Sequence, residues 1–122
     1  MPMTMVFEIF PDDVDETADF YERVLGFAVT DDRRHAELPY LGMARDEVRL
    51  GATTILGPGE RRHRLPPTGV EIVLEVDDLQ AERDRVLRAG WPVSQEITLQ
   101  PWGRQDFRLL DPSGYYLRLT EH

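Results

Sequence analysis

The residues Asp12-Asp13-Val14 and the amphipathic stretch that ends at Arg23-Val24-Leu25-Gly26-Phe27 form a pattern that occurs twice in the chain. About 62 to 65 residues later the sequence reads Asp77-Asp78-Leu79, then Arg85-Val86-Leu87, then Gly90-Trp91. A strand-like run precedes each copy, and further strand-like runs follow it. This duplication predicts two similar halves that share a seam, and a seam of this kind is where we expect a ligand site.

Capping signals locate one helix in each half. Asp13 reads as an N-cap with Glu16 as its capping-box partner, and Gly26 reads as the residue that ends the helix. In the second half Asp78 caps a helix that runs through Ala89. Its apolar face is expected to hold Leu79, Val86 and Leu87.

The remaining runs predict one strand before each helix and three after it. These strands are expected over residues 5–10, 27–31, 35–45 and 47–55, and over residues 70–76, 93–99, 104–110 and 115–120. The fold class is therefore α+β, with two βαβββ modules over residues 1–56 and 69–122. Residues 57–68, which include three arginines and His63, read as the linker between them.

The composition excludes several classes of function. The net charge is −9, which disfavours nucleic-acid binding and favours a cationic small molecule. No apolar run has the length of a leader or a membrane span, so no membrane partner is expected. With no cysteine in 122 residues, a cytoplasmic location is expected. Each half is too small to bury much surface alone, so the halves should pack together or with a second chain.

The order and spacing of several motifs resemble the vicinal oxygen chelate superfamily, which includes glyoxalase I, extradiol dioxygenases and bleomycin-resistance proteins. The motifs are Asp12-Asp13-Val14 through Phe20-Tyr21, Leu25-Gly26-Phe27, Val76-Asp77-Asp78-Leu79 and Asp111-Pro112-Ser113-Gly114-Tyr115. The match covers nearly the whole chain. The resemblance implies that each sheet curls and that two modules form a cup over a ligand. It also implies a homodimer, because modules of this family usually need partners to close their sites.

Two further segments are similar to the drug-sequestering bleomycin-resistance branch. They are Gln100-Pro101-Trp102-Gly103-Arg104 followed by Phe107, and Pro39-Tyr40-Leu41-Gly42 running towards Val48. The resemblance implies that Tyr40 and Trp102 lie over a bound antibiotic. The alternative for Trp102 is a core position that plugs the end of the sheet, whereas Trp91 and Phe27 read as core.

Metal-dependent relatives carry inward-pointing His, Glu or Gln ligands, and the resemblance places three of those positions at Val6, Glu71 and Arg118. Valine has no donor atom, and a guanidinium has no lone pair to give. Only Glu71 is usable among the positions that were placed, and a hard divalent ion needs several ligands. We therefore expect no metal and no other cofactor.

Strand alternation puts Glu8 on the face of Val6 and Glu75 on the face of Glu71. Arg118 therefore has two candidate partners, Glu71 and Glu8, and a buried carboxylate needs such a partner. A salt bridge would then stand where related enzymes hold an ion. The alternative is that these charges lie exposed on an open sheet and pair with nothing.

No histidine lies in a pattern suited to nucleophilic catalysis. His35 either lines the mouth of the cup or lies on the plain surface. The sequence therefore predicts a non-catalytic protein that sequesters a planar aromatic, cationic antibiotic or natural product, as in resistance of a producing bacterium. The expected ligand contacts are Tyr40, Trp102, Phe107, Tyr116, Arg118, Glu8, Glu71, Arg108 and His35. The competing functions are a metal-dependent glyoxalase-like lyase, isomerase or dioxygenase, and a small regulatory or biosynthetic accessory module.

Overall fold

The structure is a computed structural model that describes residues 2–53 and 68–122. The chain divides into two compact units, Met1–Leu65 and Pro66–His122. Each unit holds one four-stranded mixed sheet and its own helix. Most of the expected linker, with His63 and the end of the expected strand 47–55, lies outside the described residues.

The two units repeat one topology. The first contains β1 (Val6–Ile9), α1 (Val14–Asp19), a π-helical turn (Phe20–Val24), β2 (Ala28–Arg33), β3 (Tyr40–Arg45) and β4 (Val48–Ala52). The second contains β5 (Ile72–Val76), α2 (Leu79–Arg88), β6 (Gln95–Leu99), β7 (Gln105–Leu110) and β8 (Tyr116–Glu121). The strand orders are β1-β4-β3-β2 and β5-β8-β7-β6, and in each sheet only the first pair is parallel. The α+β class and the two βαβββ modules are confirmed.

The expected caps begin and end the helices. The Asp13 carboxylate accepts hydrogen bonds from the backbone N–H groups of Asp15 and Glu16 at 2.9 and 3.1 Å. The Asp78 carboxylate accepts one from Ala81 N–H at 3.0 Å. Gly26 follows the first helix with φ of 73°, a conformation that favours glycine.

Strand alternation gives each sheet one buried and one open face. In the first unit Ile9, Met43 and Leu50 are almost fully buried, while Val6 and Glu8 are exposed on the other face. In the second unit the buried face is built from hydrocarbon and aromatic side chains: Leu74, Phe107, Leu109, Leu117 and Leu119. The polar residues between them lie on the open face.

Some details differ from the sequence predictions. The strand expected from His35 begins at Tyr40, because residues 34–38 form a turn and bend in which His35 is exposed. Leu87 is 64% exposed, so the buried face of α2 holds Leu79 and Val86 without it. Trp91 is half-buried rather than core, and its indole N–H donates to the Leu110 carbonyl at 2.8 Å. Within the described ranges, no helix has the length and apolar character to cross a bilayer.

Candidate functional site

The open face of the second sheet gathers charged side chains from three strands or strand ends. β7 and β8 pair antiparallel with Arg108 opposite Arg118 and with Leu110 opposite Tyr116, so these side chains share one face. We call this surface the Arg118 face. It consists of Glu71, Asp106, Arg108, Tyr116 and Arg118.

Glu71 lies between two guanidinium groups on the Arg118 face. Its Oε1 atom is 3.5 Å from Arg108 Nη1 and 3.7 Å from Arg118 Nε. All three side chains are mostly buried, with exposed fractions of 29%, 19% and 23% for Glu71, Arg108 and Arg118. The expected pairing of Arg118 with Glu71 is therefore present. The alternative of unpaired, exposed charges is wrong for these residues.

Asp106 is a fully buried carboxylate that sequence reasoning missed. Its side chain is 0% exposed, its Oδ1 accepts a hydrogen bond from Gln100 Nε2 at 2.9 Å, and Arg108 Nε lies 3.8 Å away. The available signal was its position two residues before Arg108 on one strand, which places both side chains on the same face. Gln100, just before Trp102, was missed as its partner.

The pKa of Arg108 reflects this crowding. Burial acts to lower it, but the hydroxyl of Tyr116 and the carboxylates of Glu71 and Asp106 outweigh burial, and the pKa is raised. The guanidinium carbon of Arg108 also lies 6.0 Å from the centre of the Tyr116 ring. Both interactions favour the charged guanidinium, so Arg108 is a permanent cation of this surface.

Trp102 lies in the loop between β6 and β7 and is 57% exposed, so the alternative of a core tryptophan is wrong. The loop is closed by hydrogen bonds from Gln100 N–H to the Arg104 carbonyl and from Gly103 N–H to the Gln100 carbonyl, both at 2.9 Å. Gly103 has φ of 91°, which a larger residue adopts only with strain. The Arg118 guanidinium carbon lies 5.7 Å from the indole, within cation–π range.

Phe107 does not belong to this group, contrary to the expectation that it contacts ligand. It is 0% exposed on the opposite face of β7, the face that carries Leu109. The reason is the period of two along a strand, which separates Phe107 from its neighbours Asp106 and Arg108. Its role is in the core.

In the first unit, the structure brings Tyr40 and Glu8 together. The Tyr40 hydroxyl donates to Glu8 Oε1 at 3.1 Å, and the Arg33 guanidinium carbon lies 5.3 Å from the Tyr40 ring centre. Gly51 lies opposite Glu8 in the parallel register, and a Cβ there would collide with the Glu8 carboxylate and the Tyr40 hydroxyl. Glycine at position 51 therefore leaves room for the hydrogen bond between Tyr40 and Glu8.

We expect Glu8→Gln to lower the pKa of Tyr40 relative to the unsubstituted protein. Burial of the phenol, followed by the hydrogen bond to Glu8 and its negative charge, raises this pKa above the usual 10.0. The substitution removes the negative charge and replaces a charged hydrogen-bond acceptor by a weaker, neutral one, and it leaves the burial of the phenol unchanged. Ultraviolet absorbance of the phenolates during an alkaline titration measures the change, and Glu47→Gln at an exposed turn position is the charge-matched control.

The sign of the linked effect follows from the raised pKa. The protonated phenol is favoured by folding, so its contribution to stability is complete below pH 10 and is lost as pH rises through the folded pKa. A Tyr40 titration that is identical in Glu8→Gln and in the unsubstituted protein would contradict the hydrogen bond.

The remaining expected positions do not form a metal centre. Val6 is 38% exposed and offers no donor atom. Glu71 is held by two cations, one of which is Arg118. In the described part of the chain, no group of three or more His, Asp or Glu side chains could hold a metal ion. The side chains of Val6, Glu71 and Arg118 therefore do not offer the donor set that a hard divalent ion needs.

Solved structures with this fold include an antibiotic binding protein and a lyase. TioX from Micromonospora sp. ML1 is 20% identical with a TM-score of 0.79, and the match covers 99% of both chains. TnmS3, an antibiotic binding protein from Streptomyces sp. CB03234, is 22% identical with a TM-score of 0.74, over 99% of this chain and 96% of that one. A lactoylglutathione lyase from Agrobacterium tumefaciens is 18% identical with a TM-score of 0.71, over 98% and 92%.

At these identities the solved structures show the fold alone. Comparison with curated protein sequences gives no match. The family model described as the Glyoxalase/Bleomycin resistance protein/Dioxygenase superfamily matches residues 4–119, almost the whole chain. The duplicated βαβββ module is consistent with this match, and the chain belongs to the glyoxalase/bleomycin resistance protein/dioxygenase superfamily.

Proposed function

We propose that this protein is a non-catalytic binding protein that sequesters a planar aromatic antibiotic or natural product, as in self-protection of a producing bacterium. The observation that carries the proposal is Trp102, an indole held 57% exposed on a closed loop with the Arg118 guanidinium against it. Small-molecule sites combine aromatic side chains with a small number of placed polar groups, and Trp102 beside the Arg118 face supplies both kinds.

Trp102 supplies a platform for stacking. The guanidinium carbon of Arg118 lies over the indole, 5.7 Å from the ring centre, and the residue is 57% exposed, so it is accessible to a flat ring system. Stacking of two rings contributes about 0.5–1.5 kcal/mol beyond the burial of area. The closed loop reduces the entropy lost when the ligand binds, because the indole is already held in place.

The first module supplies a second set of contacts in this proposal. Tyr40 offers an aromatic ring, and Glu8 offers a carboxylate that the Tyr40 hydroxyl holds in place at 3.1 Å. We propose that the protein forms a homodimer. The protein would act in the cytoplasm on a ligand that enters or is made there.

The charge arrangement argues against catalysis at the Arg118 face. A general base needs a carboxylate that is within reach of the proton it takes up. The Glu71 carboxylate is instead paired with two guanidinium groups that lie within 4 Å. Arg118 has no lone pair with which to bind a metal or take up a proton. The cluster suits recognition of polar groups better than proton transfer.

Tryptophan fluorescence tests the proposal because the chain has two tryptophans. In a Trp91→Phe variant, Trp102 is the single reporter, and Phe is chosen to keep an aromatic ring at position 91. A panel of planar antibiotics is titrated, and saturable quenching by at least one is the expected result. A panel without any saturable quenching, with calorimetry also showing no heat of binding, would contradict the proposal.

A further inference from the structure

Four polar atoms of the Arg118 face are buried without a hydrogen-bond partner among the described residues. Two are acceptors, Glu71 Oε1 and Asp106 Oδ2, and two are donors, Arg108 Nε and Arg118 Nε. Three of these atoms, Glu71 Oε1, Arg108 Nε and Arg118 Nε, lie within 4 Å of an oppositely charged side chain, and the fourth belongs to the carboxylate that Arg108 approaches. None of these contacts has hydrogen-bond geometry. Folded proteins rarely leave several such atoms together, because an unpaired buried polar group is destabilising.

The burial of Asp106 indicates that these side chains form a defined site and are not a chance grouping on the surface. Its side chain is 0% exposed, and Gln100 Nε2 fixes one oxygen at 2.9 Å while the second oxygen is unpaired. Gln100 belongs to the loop that carries Trp102. The same short segment therefore positions both the stacking platform and the unpaired acceptor.

The formal charges of the set cancel. Asp106 and Glu71 carry one negative charge each, and Arg108 and Arg118 carry one positive charge each. The chain has a net charge of −9, but charges beyond about 10 Å are largely screened at 0.1 M salt. The local set therefore decides which ligand charge is tolerated. A cation is attracted by two carboxylates but repelled by two guanidinium groups, and for an anion the signs are reversed, so the set favours neither ligand charge.

We propose that the Arg118 face binds a neutral planar ring system that carries a carbonyl oxygen beside an N–H or O–H donor. The carbonyl accepts from the Nε–H groups of Arg108 or Arg118, and the donor gives its hydrogen bond to Asp106 Oδ2 or Glu71 Oε1. This inference rests on the proposed function and deepens it. It replaces the cationic ligand that the net charge predicts with a neutral one of alternating donors and acceptors.

Two planar tricyclic probes separate these alternatives in calorimetric titrations. Lumichrome is neutral and carries an edge of carbonyl, N–H and carbonyl, whereas proflavine is a cation without a carbonyl. We expect lumichrome to bind at least tenfold more tightly than proflavine. Asp106→Asn should weaken lumichrome binding about tenfold, because a hydrogen bond to a charged acceptor is lost. Asp46→Asn, at a side chain that is 90% exposed, is the charge-matched control and should leave the affinity unchanged.

Arg118→Gln provides a second, independent variant in case Asp106→Asn does not fold. Removing one guanidinium leaves the set with a net negative charge, so lumichrome should bind more weakly and proflavine more tightly. The inference would be overturned if proflavine bound the unsubstituted protein as tightly as lumichrome does. It would also be overturned if both variants folded and bound lumichrome with unchanged affinity. Either result leaves planar binding, and hence the proposed function, intact. Absence of binding by both probes and by the planar antibiotics would instead contradict the proposed function and this inference with it.

Discussion

Replacement of Trp102 by alanine is expected to weaken the binding of a planar ligand by tenfold or more. The substitution removes the stacking surface and the partner of the Arg118 guanidinium, which lies 5.7 Å from the ring. A stacking contribution of about 0.5–1.5 kcal/mol, added to the lost burial of apolar area, exceeds the roughly 1.4 kcal/mol that corresponds to tenfold. Isothermal titration calorimetry with the tightest ligand of the panel measures the effect.

Two control variants make this result specific. Trp102→Phe keeps a flat ring and should retain most of the affinity. Leu99→Ala removes another exposed apolar side chain, 67% exposed at the end of β6, and should not alter binding. Unchanged affinity in Trp102→Ala would show that the ligand does not stack on this indole.

Alanine at position 107 is expected to lower the free energy of unfolding by about 3–5 kcal/mol, the range measured when a buried phenylalanine is truncated. Phe107 is 0% exposed, so the substitution leaves a cavity in the buried face of the second sheet. Ligand affinity, corrected for the folded fraction, should not change, because the side chain lies on the opposite face of β7 from Arg108. Urea denaturation gives the first quantity and calorimetry the second.

The pair of variants forms a crossed test. Trp102→Ala is an exposed substitution and should change stability by roughly 0.5 kcal/mol or less. Phe107→Ala should lower the free energy of unfolding and leave the ligand affinity unchanged. A Phe107→Ala variant with an unchanged free energy of unfolding but weaker ligand binding would show that Phe107 contacts the ligand.

The fold could be predicted because its signals are local and repeated. Asp13 and Asp78 announce the helices through capping chemistry that depends on a few adjacent residues. Glycines at 26 and 90, both with positive φ, end them. The order of elements in each module, one strand before the helix and three after it, was predicted from the strand-like runs. The family match over residues 4–119 confirms the resemblance of the motifs.

The site was predicted less completely, since its chemistry depends on register and on contacts between strands. The resemblance placed Arg118 and Glu71 at corresponding metal positions and left Glu71 and Glu8 as candidate partners, of which the structure shows Glu71. Strand alternation was not applied to Phe107, whose phase puts it in the core. Asp106 was overlooked because an aspartate near a turn usually faces solvent, and only the pairing of β7 with β8 shows that it is fully buried. His35 was assigned to a strand, although β3 begins five residues later at Tyr40.

The central claim is that this member of a family rich in metal enzymes binds a planar small molecule without an ion. The most direct measurement is calorimetric titration of the same ligand into protein before and after treatment with a chelator, with the metal content determined in parallel. We predict identical affinities and no stoichiometric divalent ion. A stoichiometric ion coordinated by Glu71, together with loss of binding or of a lyase or dioxygenase activity on chelation, would contradict it.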